Sequence, residues 1–205
     1  MPARHACHRA LYATDSLLCN TADAIDLLGV ALDGNTPHAN ISAGRGEGQF
    51  ESALSVLVKA KELGITTKVN TVVTQRNCGT IGHLAKLIRD VGASIWSIYE
   101  FWPLGPNALR NQRVLELPPN DFCELVRKLT TQNTDLPIEI GRRTDRSSYF
   151  FVSQTGRAYT VSNTENHKYI ELGTIFSACV LNRWARVVTP SENGIRSEKR
   201  RHIIG

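Results

Sequence analysis

The sequence has no long apolar run, and this excludes one class of protein. No stretch approaches the ~20 consecutive apolar residues of a membrane-spanning helix. The segment that begins at Met1 is basic, but no apolar stretch follows it, so we expect no secretory signal. We therefore expect a cytoplasmic protein with no membrane partner.

Paired cysteines are also missing. The five cysteines are scattered along the chain: Cys7, Cys19, Cys78, Cys123 and Cys179. No C-x2-C or C-x3-C spacing occurs, so the pattern predicts no disulfide framework, zinc ribbon or iron–sulfur loop. The one tight Cys/His group, Cys7-His8, lacks a second pair of ligands. We therefore predict no metal site.

The positive charge is modest and concentrated at one end. The net charge is +5, and the basic residues crowd the C-terminus at Arg196, Lys199, Arg200, Arg201 and His202. No basic face is interleaved with aromatic residues, so we expect no nucleic-acid partner. Residues 177–205 show no clear pattern and are predicted to be an irregular basic tail.

What the sequence does have is an alternation of strands and helices. A chain of 205 residues with 41% hydrophobic content can bury a substantial core. Predicted strands at 25–32, 65–74 and 94–102 alternate with helices at 49–63, 79–91 and from Pro118 onward. Short connections of this kind predict a parallel α/β sheet. Further on, 136–140, 148–153 and 157–162 are predicted strands, with a hairpin turn at Thr155-Gly156.

Polar residues stand on or just after these predicted parallel strands. Asp33 ends the first, Lys68 and Asn70 share a face of the second, and Glu100 lies near the end of the third. Because the carboxyl ends of parallel strands meet at one edge of the sheet, these residues predict a polar pocket. The alternative is that Asn70 and Glu100 only satisfy the main chain of nearby loops.

A glycine-rich loop precedes the helix that begins at Gln49. It reads Ser42-Ala43-Gly44-Arg45-Gly46-Glu47-Gly48. Main-chain N–H groups at a helix start favour an anion, and Arg45 can clamp a carboxylate or phosphate. The loop lacks the Gly-Lys-Ser/Thr ending of a Walker A motif and the strand-to-helix spacing of a dinucleotide fingerprint.

Several of these segments, in this order, resemble the second half of the radical S-adenosylmethionine barrel, the viperin-like branch in particular. They are GVALDG at 29–34, AGRGEG at 43–48, KVNTVVTQRN at 68–77 and WSIYEF at 96–101. The resemblance implies an α/β fold built as a partial (β/α) barrel of parallel strands with flanking helices. It also implies a small C-terminal β-hairpin extension that covers the substrate.

The resemblance implies S-adenosylmethionine as the cofactor and assigns candidate residues. Arg45 would hold the carboxylate of the cofactor, and Asp33 and Asn70 would line the pocket wall. Ala31 stands where the family often has a serine for the ribose, and Glu100 lies on the strand that corresponds to the sixth of the barrel. Thr14-Asp15-Ser16 stands where many members of the family have Thr-Asn-Gly after the third strand, and it matches that segment only loosely.

The sequence departs from the family in its first part. The C-x3-C-x2-C loop that binds the [4Fe–4S] cluster is absent, as is the Gly-Gly-Glu-like motif, and the chain begins near the third strand of the barrel. We therefore expect an N-terminally truncated member that is inactive alone, with a separate N-terminal chain as a possible partner. The expected domains are 1–132 for the partial barrel, 133–176 for the extension and 177–205 for the tail.

Two other functions fit the same residues. A small non-enzymatic α/β module could bind an anionic ligand through the Arg45 loop. An intact enzyme of another α/β family would need a nucleophile with a base beside it, and neither His83 nor Cys78 has such a partner in sequence. No catalytic residue and no substrate are assigned from the sequence.

Overall fold

The computed structural model describes residues 18–20, 22–143, 149–162 and 169–188. The predicted Thr14-Asp15-Ser16 segment, the Cys7-His8 group and the basic residues from 196 onward lie outside these ranges. The chain divides into two compact units between Arg143 and Thr144.

The first unit is built on a four-stranded parallel sheet. Its strands lie side by side in chain order: β1 Leu27–Ala31, β2 Thr66–Val73, β3 Ile95–Glu100 and β4 Ile138–Gly141. The intervening helices are α1 Pro37–Ser42, α2 Gln49–Glu62, α3 Leu84–Val91, α4 Pro106–Arg110, α5 Gln112–Leu115 and α6 Pro119–Gln132. The parallel α/β architecture predicted from the sequence is confirmed.

The longest helices bury one apolar stripe each. Along α2 the buried residues recur at the three- and four-residue spacing of one helix face: Gln49, Phe50, Ala53, Val56, Leu57 and Ala60. Val58 is 47% exposed, since it lies one residue beyond the buried Leu57 and therefore about 100° around the helix. On α6 the buried residues are Phe122, Val126 and Leu129.

Two helices lie where the sequence predicted irregular structure. α1 lies between the predicted strand 25–32 and the predicted helix 49–63, where no helix was predicted, and Thr36 caps it by accepting a hydrogen bond from the Ala39 N–H at 3.1 Å. Pro37 occupies its first turn, where the missing N–H costs nothing. The second, α7, spans Val180–Val187 inside the predicted tail. Its Val180, Trp184 and Val187 pack on the second unit's core, so this part of the tail prediction was wrong.

The second unit contains a three-stranded antiparallel sheet: β5 Phe151–Val152, β6 Arg157–Val161 and β7 Tyr169–Thr174. The predicted turn between β5 and β6 is present, with Gly156 at φ +75°, a backbone conformation that suits glycine. The small antiparallel extension is therefore confirmed. Residues 136–140, which the sequence grouped with this extension, instead overlap β4 of the parallel sheet.

No helix among the described residues combines the length and the apolar character that crossing a bilayer requires.

Candidate functional site

The parallel sheet has two different faces. One face packs against α2 and α3 through apolar side chains that include Val69, Val73, Trp96 and Ile98. The alternate residues of β2, namely Lys68, Asn70 and Val72, lie on the opposite face and are only partly buried. We call this second face, with the strand partners of those residues, the open face.

A row of residues in register crosses the open face of the sheet. Ala31 pairs with Asn70, Asn70 with Ser97, and Ser97 with Glu139. Because partners in register point to the same side of a sheet, these side chains line one surface. The Oδ1 atom of Asn70 is buried and has no hydrogen-bond partner within the described part of the chain. A buried acceptor without a hydrogen bond lowers the stability of the fold unless a ligand or a water molecule supplies a donor.

Asp33 lies just beyond β1 and is 5% exposed. Its Oδ1 accepts a hydrogen bond from the Val72 N–H at 2.8 Å, and its Oδ2 accepts one from Arg45 Nε at 2.6 Å. The carboxylate therefore connects the end of β1 to β2 and to the glycine-rich loop.

Three amide side chains fix the main chain around Asp33. Asn40 Oδ1 accepts from the Asp33 N–H at 2.9 Å, and Asn77 Nδ2 donates to the Asp33 carbonyl at 3.1 Å and to the Val72 carbonyl at 2.9 Å. Asn40 Nδ2 also donates to Gln49, whose Nε2 donates to the Ala31 carbonyl at 2.7 Å. All three amides are less than 9% exposed, so the network is rigid and pre-organised.

Arg45 is oriented by this network. Its guanidinium meets Asp33 through Nε, and its side chain is 26% exposed. In the described part of the chain its Nη atoms have no partner, so the outer edge of the guanidinium is available to a ligand. A planar guanidinium edge of this kind binds a carboxylate with two parallel hydrogen bonds.

The pKa of Asp33 depends on its neighbours. Burial raises the pKa of its carboxyl above the ordinary 3.8, while the Arg45 guanidinium and the Val72 N–H act in the opposite direction. The negative charge of Asp33 therefore relies on Arg45, and the two residues form one electrostatic unit.

A second polar cluster lies on the open face of the sheet itself. Lys68 Nζ contacts Glu139 Oε2 at 2.6 Å, and Ser97 Oγ donates to the same oxygen at 2.9 Å. Desolvation lowers the pKa of Lys68, but Glu139 and Tyr99 together outweigh it, so the pKa lies above the ordinary 10.5. The Tyr99 ring lies against Gly141, where a Cβ would come within 2.6 Å of the ring.

Glu100 does not join the other predicted residues. Its register partner is Val73, on the face that packs against the helices. Its carboxylate forms an ion pair with Arg143 Nε at 3.1 Å and accepts a hydrogen bond from the Arg143 main-chain N–H at 3.0 Å. Arg143 also pairs with Glu116. The Glu100 carboxylate therefore binds the main chain and side chain of Arg143. This agrees with the alternative given above, in which Glu100 satisfies the main chain of a nearby loop.

The structure brings Ala31, Asp33, Arg45 and Asn70 to the carboxyl-terminal half of neighbouring strands and the loop that follows β1. Sequence reasoning gave no role to Asn40, Gln49, Asn77 or Glu139. Asn77 belonged to the segment that carried the resemblance, and this was the one available signal. Asn40 lies in a segment for which the sequence predicted no helix or strand, and Glu139 lies in a predicted strand that was assigned to the C-terminal extension.

The residues present fit one cofactor group and not another. The free guanidinium edge of Arg45 and the unpartnered Asn70 Oδ1 fit a ligand that carries a carboxylate and hydrogen-bond donors, as S-adenosylmethionine does. No group of three or more His, Cys, Asp or Glu side chains within the described ranges could hold a metal ion, and the sequence has no C-x3-C-x2-C segment. These residues do not fit an iron–sulfur cluster.

Comparison with known proteins gives a fold but no close relative. No protein-family profile matches the chain, and no curated protein matches it either. Among solved structures, native anSMEcpe with bound AdoMet has 13% identity and a TM-score of 0.61, over 91% of this chain and 56% of that one. SuiB of Streptococcus suis has 10% identity and a TM-score of 0.64, over 95% of this chain and 51% of that one.

A further structure, SuiB bound to S-adenosylmethionine, has 12% identity and a TM-score of 0.63, over 92% of this chain and 48% of that one. The chain thus spans about half the length of these structures. All are radical S-adenosylmethionine enzymes. At such low identity the likeness concerns the fold alone: the chain has a radical S-adenosylmethionine-like fold.

Proposed function

We propose that this chain forms part of an S-adenosylmethionine site in a radical S-adenosylmethionine enzyme of the viperin-like branch. The observation that carries the proposal is the Arg45 guanidinium, which Asp33 holds through Nε at 2.6 Å and whose Nη atoms have no partner among the residues that the structure describes. Arg45 would bind the carboxylate of the cofactor, and Asp33 would keep Arg45 in place.

Asn70 supports the same assignment. Its buried Oδ1, which has no partner within the described ranges, would accept a hydrogen bond from an O–H or N–H group of the cofactor. Ala31, its register partner on β1, has no polar side chain to add, so Asn70 would carry the polar contact in this row. Glu100 is left out of the proposed site because its carboxylate is engaged with Arg143.

Arg45 and Asn70 would hold S-adenosylmethionine, which would supply radical chemistry only beside a reduced iron–sulfur cluster. Cluster ligands would have to come from outside these 205 residues, because the sequence has no C-x3-C-x2-C segment. We therefore propose that these residues bind the cofactor without cleaving it. Co-expression with a chain that carries such a segment, followed by anaerobic reconstitution, would test the proposed partner.

Titration calorimetry of the full chain tests the binding site directly. S-adenosylmethionine should bind, and Arg45→Met should weaken it about tenfold or more, since a hydrogen bond to a charged group contributes about 1.5–3 kcal/mol. Decarboxylated S-adenosylmethionine, which lacks the carboxylate, should bind both proteins equally. Arg127→Ala, on the exposed side of α6, is the matched control.

A second candidate function is a non-enzymatic module for an anionic ligand, favoured by the same Arg45 loop. If Arg45→Met weakened S-adenosylmethionine and unrelated anions equally, this generic anion site would replace the proposed one. If the wild-type chain bound neither, both functions would be wrong.

A further inference from the structure

The segment that connects β3 to α6 contributes no residue to the hydrophobic core. Residues 102–116 lie between the buried Phe101 and Leu117, and each of them is partly or fully exposed. Two of its apolar side chains, Leu109 and Val114, are 57% and 50% exposed. Segments with few buried apolar contacts are the ones that open locally while the rest of a protein stays folded.

Two contacts hold the C-terminal end of the 102–116 segment against the parallel sheet. The Leu115 carbonyl accepts a hydrogen bond from the Gln75 N–H at 3.0 Å, and the Glu116 carboxylate forms an ion pair with Arg143. Gln75 follows β2 and Arg143 follows β4, so the segment runs along the carboxyl edge of the sheet. Asp33, which follows β1, belongs to the same edge. The segment therefore lies at the edge that carries the candidate site.

Gly105 is suited to act as a hinge near the start of this segment. It precedes α4 with φ +83° and ψ 165°, a backbone conformation that is open to glycine and to almost no other residue. Beyond it the hydrogen bonds are local: the Leu109 N–H donates to the Gly105 carbonyl at 3.0 Å, and the Leu115 N–H donates to the Asn111 carbonyl at 3.1 Å. Such bonds persist when the segment moves, because donor and acceptor move together.

The ion pair of Glu116 can break without leaving a buried charge unpaired. Glu100 holds Arg143 independently, through Nε at 3.1 Å and through the main-chain N–H at 3.0 Å. The Glu100 side chain is 8% exposed, whereas that of Glu116 is 26% exposed. If Glu116 moved away, Arg143 would keep a carboxylate partner and Glu116 would become hydrated. Ion pairs in contact with solvent contribute little to stability, so this contact can open.

From these observations we propose that the 102–116 segment is a lid on the carboxyl edge of the parallel sheet, hinged at Gly105 and held closed by the Glu116–Arg143 ion pair. Opening separates Glu116 from Arg143 and the Leu115 carbonyl from the Gln75 N–H. Lids of this kind control how fast a ligand enters and leaves a site. The motion is a property of this chain alone, while its effect on S-adenosylmethionine rests on the proposed function.

Hydrogen exchange at one amide reports the opening without any ligand. The Gln75 N–H is bound by the lid, whereas the Cys78 N–H in the same turn donates to the Thr74 carbonyl at 3.0 Å. Glu116→Ala should accelerate exchange of the Gln75 amide about threefold, the size expected for loss of a partly exposed ion pair. The Cys78 amide should exchange at its wild-type rate. Nuclear magnetic resonance of the full chain resolves the two amides.

Two further variants keep this test independent of a folding defect. Glu116→Gln preserves the size of the side chain and should accelerate the Gln75 amide in the same direction. Glu124→Ala removes an exposed carboxylate from α6 and should change neither amide. An unchanged Gln75 amide in both Glu116 variants would overturn the lid. Equal acceleration at Cys78 would also overturn it, because the whole turn would then have loosened.

Stopped-flow binding of S-adenosylmethionine tests what the lid controls. Glu116→Ala should raise the association and dissociation rate constants by a similar factor, about threefold, because an open lid eases both entry and exit. A faster Gln75 amide with unchanged rate constants would reject the lid as a gate and leave the proposed function standing. Wild-type protein that binds no S-adenosylmethionine would reject the proposed function, and hydrogen exchange would still decide whether the lid opens.

Discussion

The two polar clusters of the parallel sheet are held in opposite ways. Asp33 and the Arg45 loop are fixed mainly through the main chain: Val72, Asp33 and Ala31 each contribute a peptide group to the network. Lys68 and Glu139 meet by side chains alone, from strands that are not neighbours in the sheet. The first cluster is a property of backbone geometry and the second of side-chain charge.

This difference shows which changes each cluster should tolerate. A network anchored on peptide groups is sensitive to any change in the path of the backbone or in the amides that hold it. An ion pair between long side chains, with Glu139 35% exposed, depends on charge and on pH, and solvent screens it. Three variants test this contrast, in order of decreasing effect.

The largest expected effect is that of Asn77→Ala. Asn77 is 2% exposed; its Nδ2 donates to the Asp33 and Val72 carbonyls, and its Oδ1 accepts the Thr74 N–H. Buried peptide groups left without partners cost about 1–3 kcal/mol each, so we expect the free energy of unfolding to fall by about 3 kcal/mol. Urea denaturation measures it, with the exposed Gln132→Ala as control. A loss within about 0.5 kcal/mol would show that the amide network is not needed.

Gly34→Ala should have an intermediate effect. A Cβ at Gly34 would lie 2.3 Å from the Asn40 main-chain nitrogen, so the start of α1 would have to shift. Overpacking of this kind costs about 1–3 kcal/mol, and the displaced loop should also bind S-adenosylmethionine more weakly.

Gly46→Ala is the matched control for that variant, because no atom lies within 4 Å of its Cβ position. Thermal unfolding and calorimetry of both variants would check the prediction. Equal behaviour of the two would mean that the close approach at Gly34 does not position Arg45.

The smallest effect belongs to Lys68→Met. The Lys68–Glu139 ion pair is partly exposed, with 13% and 35% of the two side chains accessible. We therefore expect the free energy of unfolding to fall by about 1 kcal/mol near neutral pH. Because the pKa of Lys68 is raised above 10.5 in the folded protein, folding favours its protonated form. This contribution is complete below that pH and is lost as the pH rises through the folded pKa.

The measurement is the difference in unfolding free energy between wild type and Lys68→Met, followed from neutral to alkaline pH. The difference should stay level and then shrink above about pH 10.5. A difference that stayed constant throughout would mean that the Lys68–Glu139 contact does not depend on the charge of Lys68.

Much of the fold was predictable because its signals are local. Helices α2 and α3 lie within the predicted helices 49–63 and 79–91, and strand β2 lies within the predicted strand 65–74. Helix α7 was not predicted because its apolar stripe is short. The stripe can be recognised as a buried face only once its packing partners in the second unit, Ala158 and Leu172, are known.

The candidate site was predictable in part. Asp33, Arg45 and Asn70 could be named from the positions of strand ends and a glycine-rich loop, and their role as cofactor ligands stays a prediction. Glu100 was grouped with them because a sequence gives the alternation within a strand but not the register between strands. One residue of register decides which face a side chain lies on, and here it directs Glu100 to Arg143.

The sequence by itself determined strands β1 to β3, helices α2, α3 and α6 and their parallel arrangement, since hydrophobic spacing and capping residues act within a few residues of each other. Only the tertiary structure decided which polar residues meet. The contact between Lys68 and Glu139 spans 71 residues of chain, and Asn77 reaches Asp33 across 44. Such pairs depend on strand order and register, which arise from the packing of the whole sheet and leave no trace in local spacing.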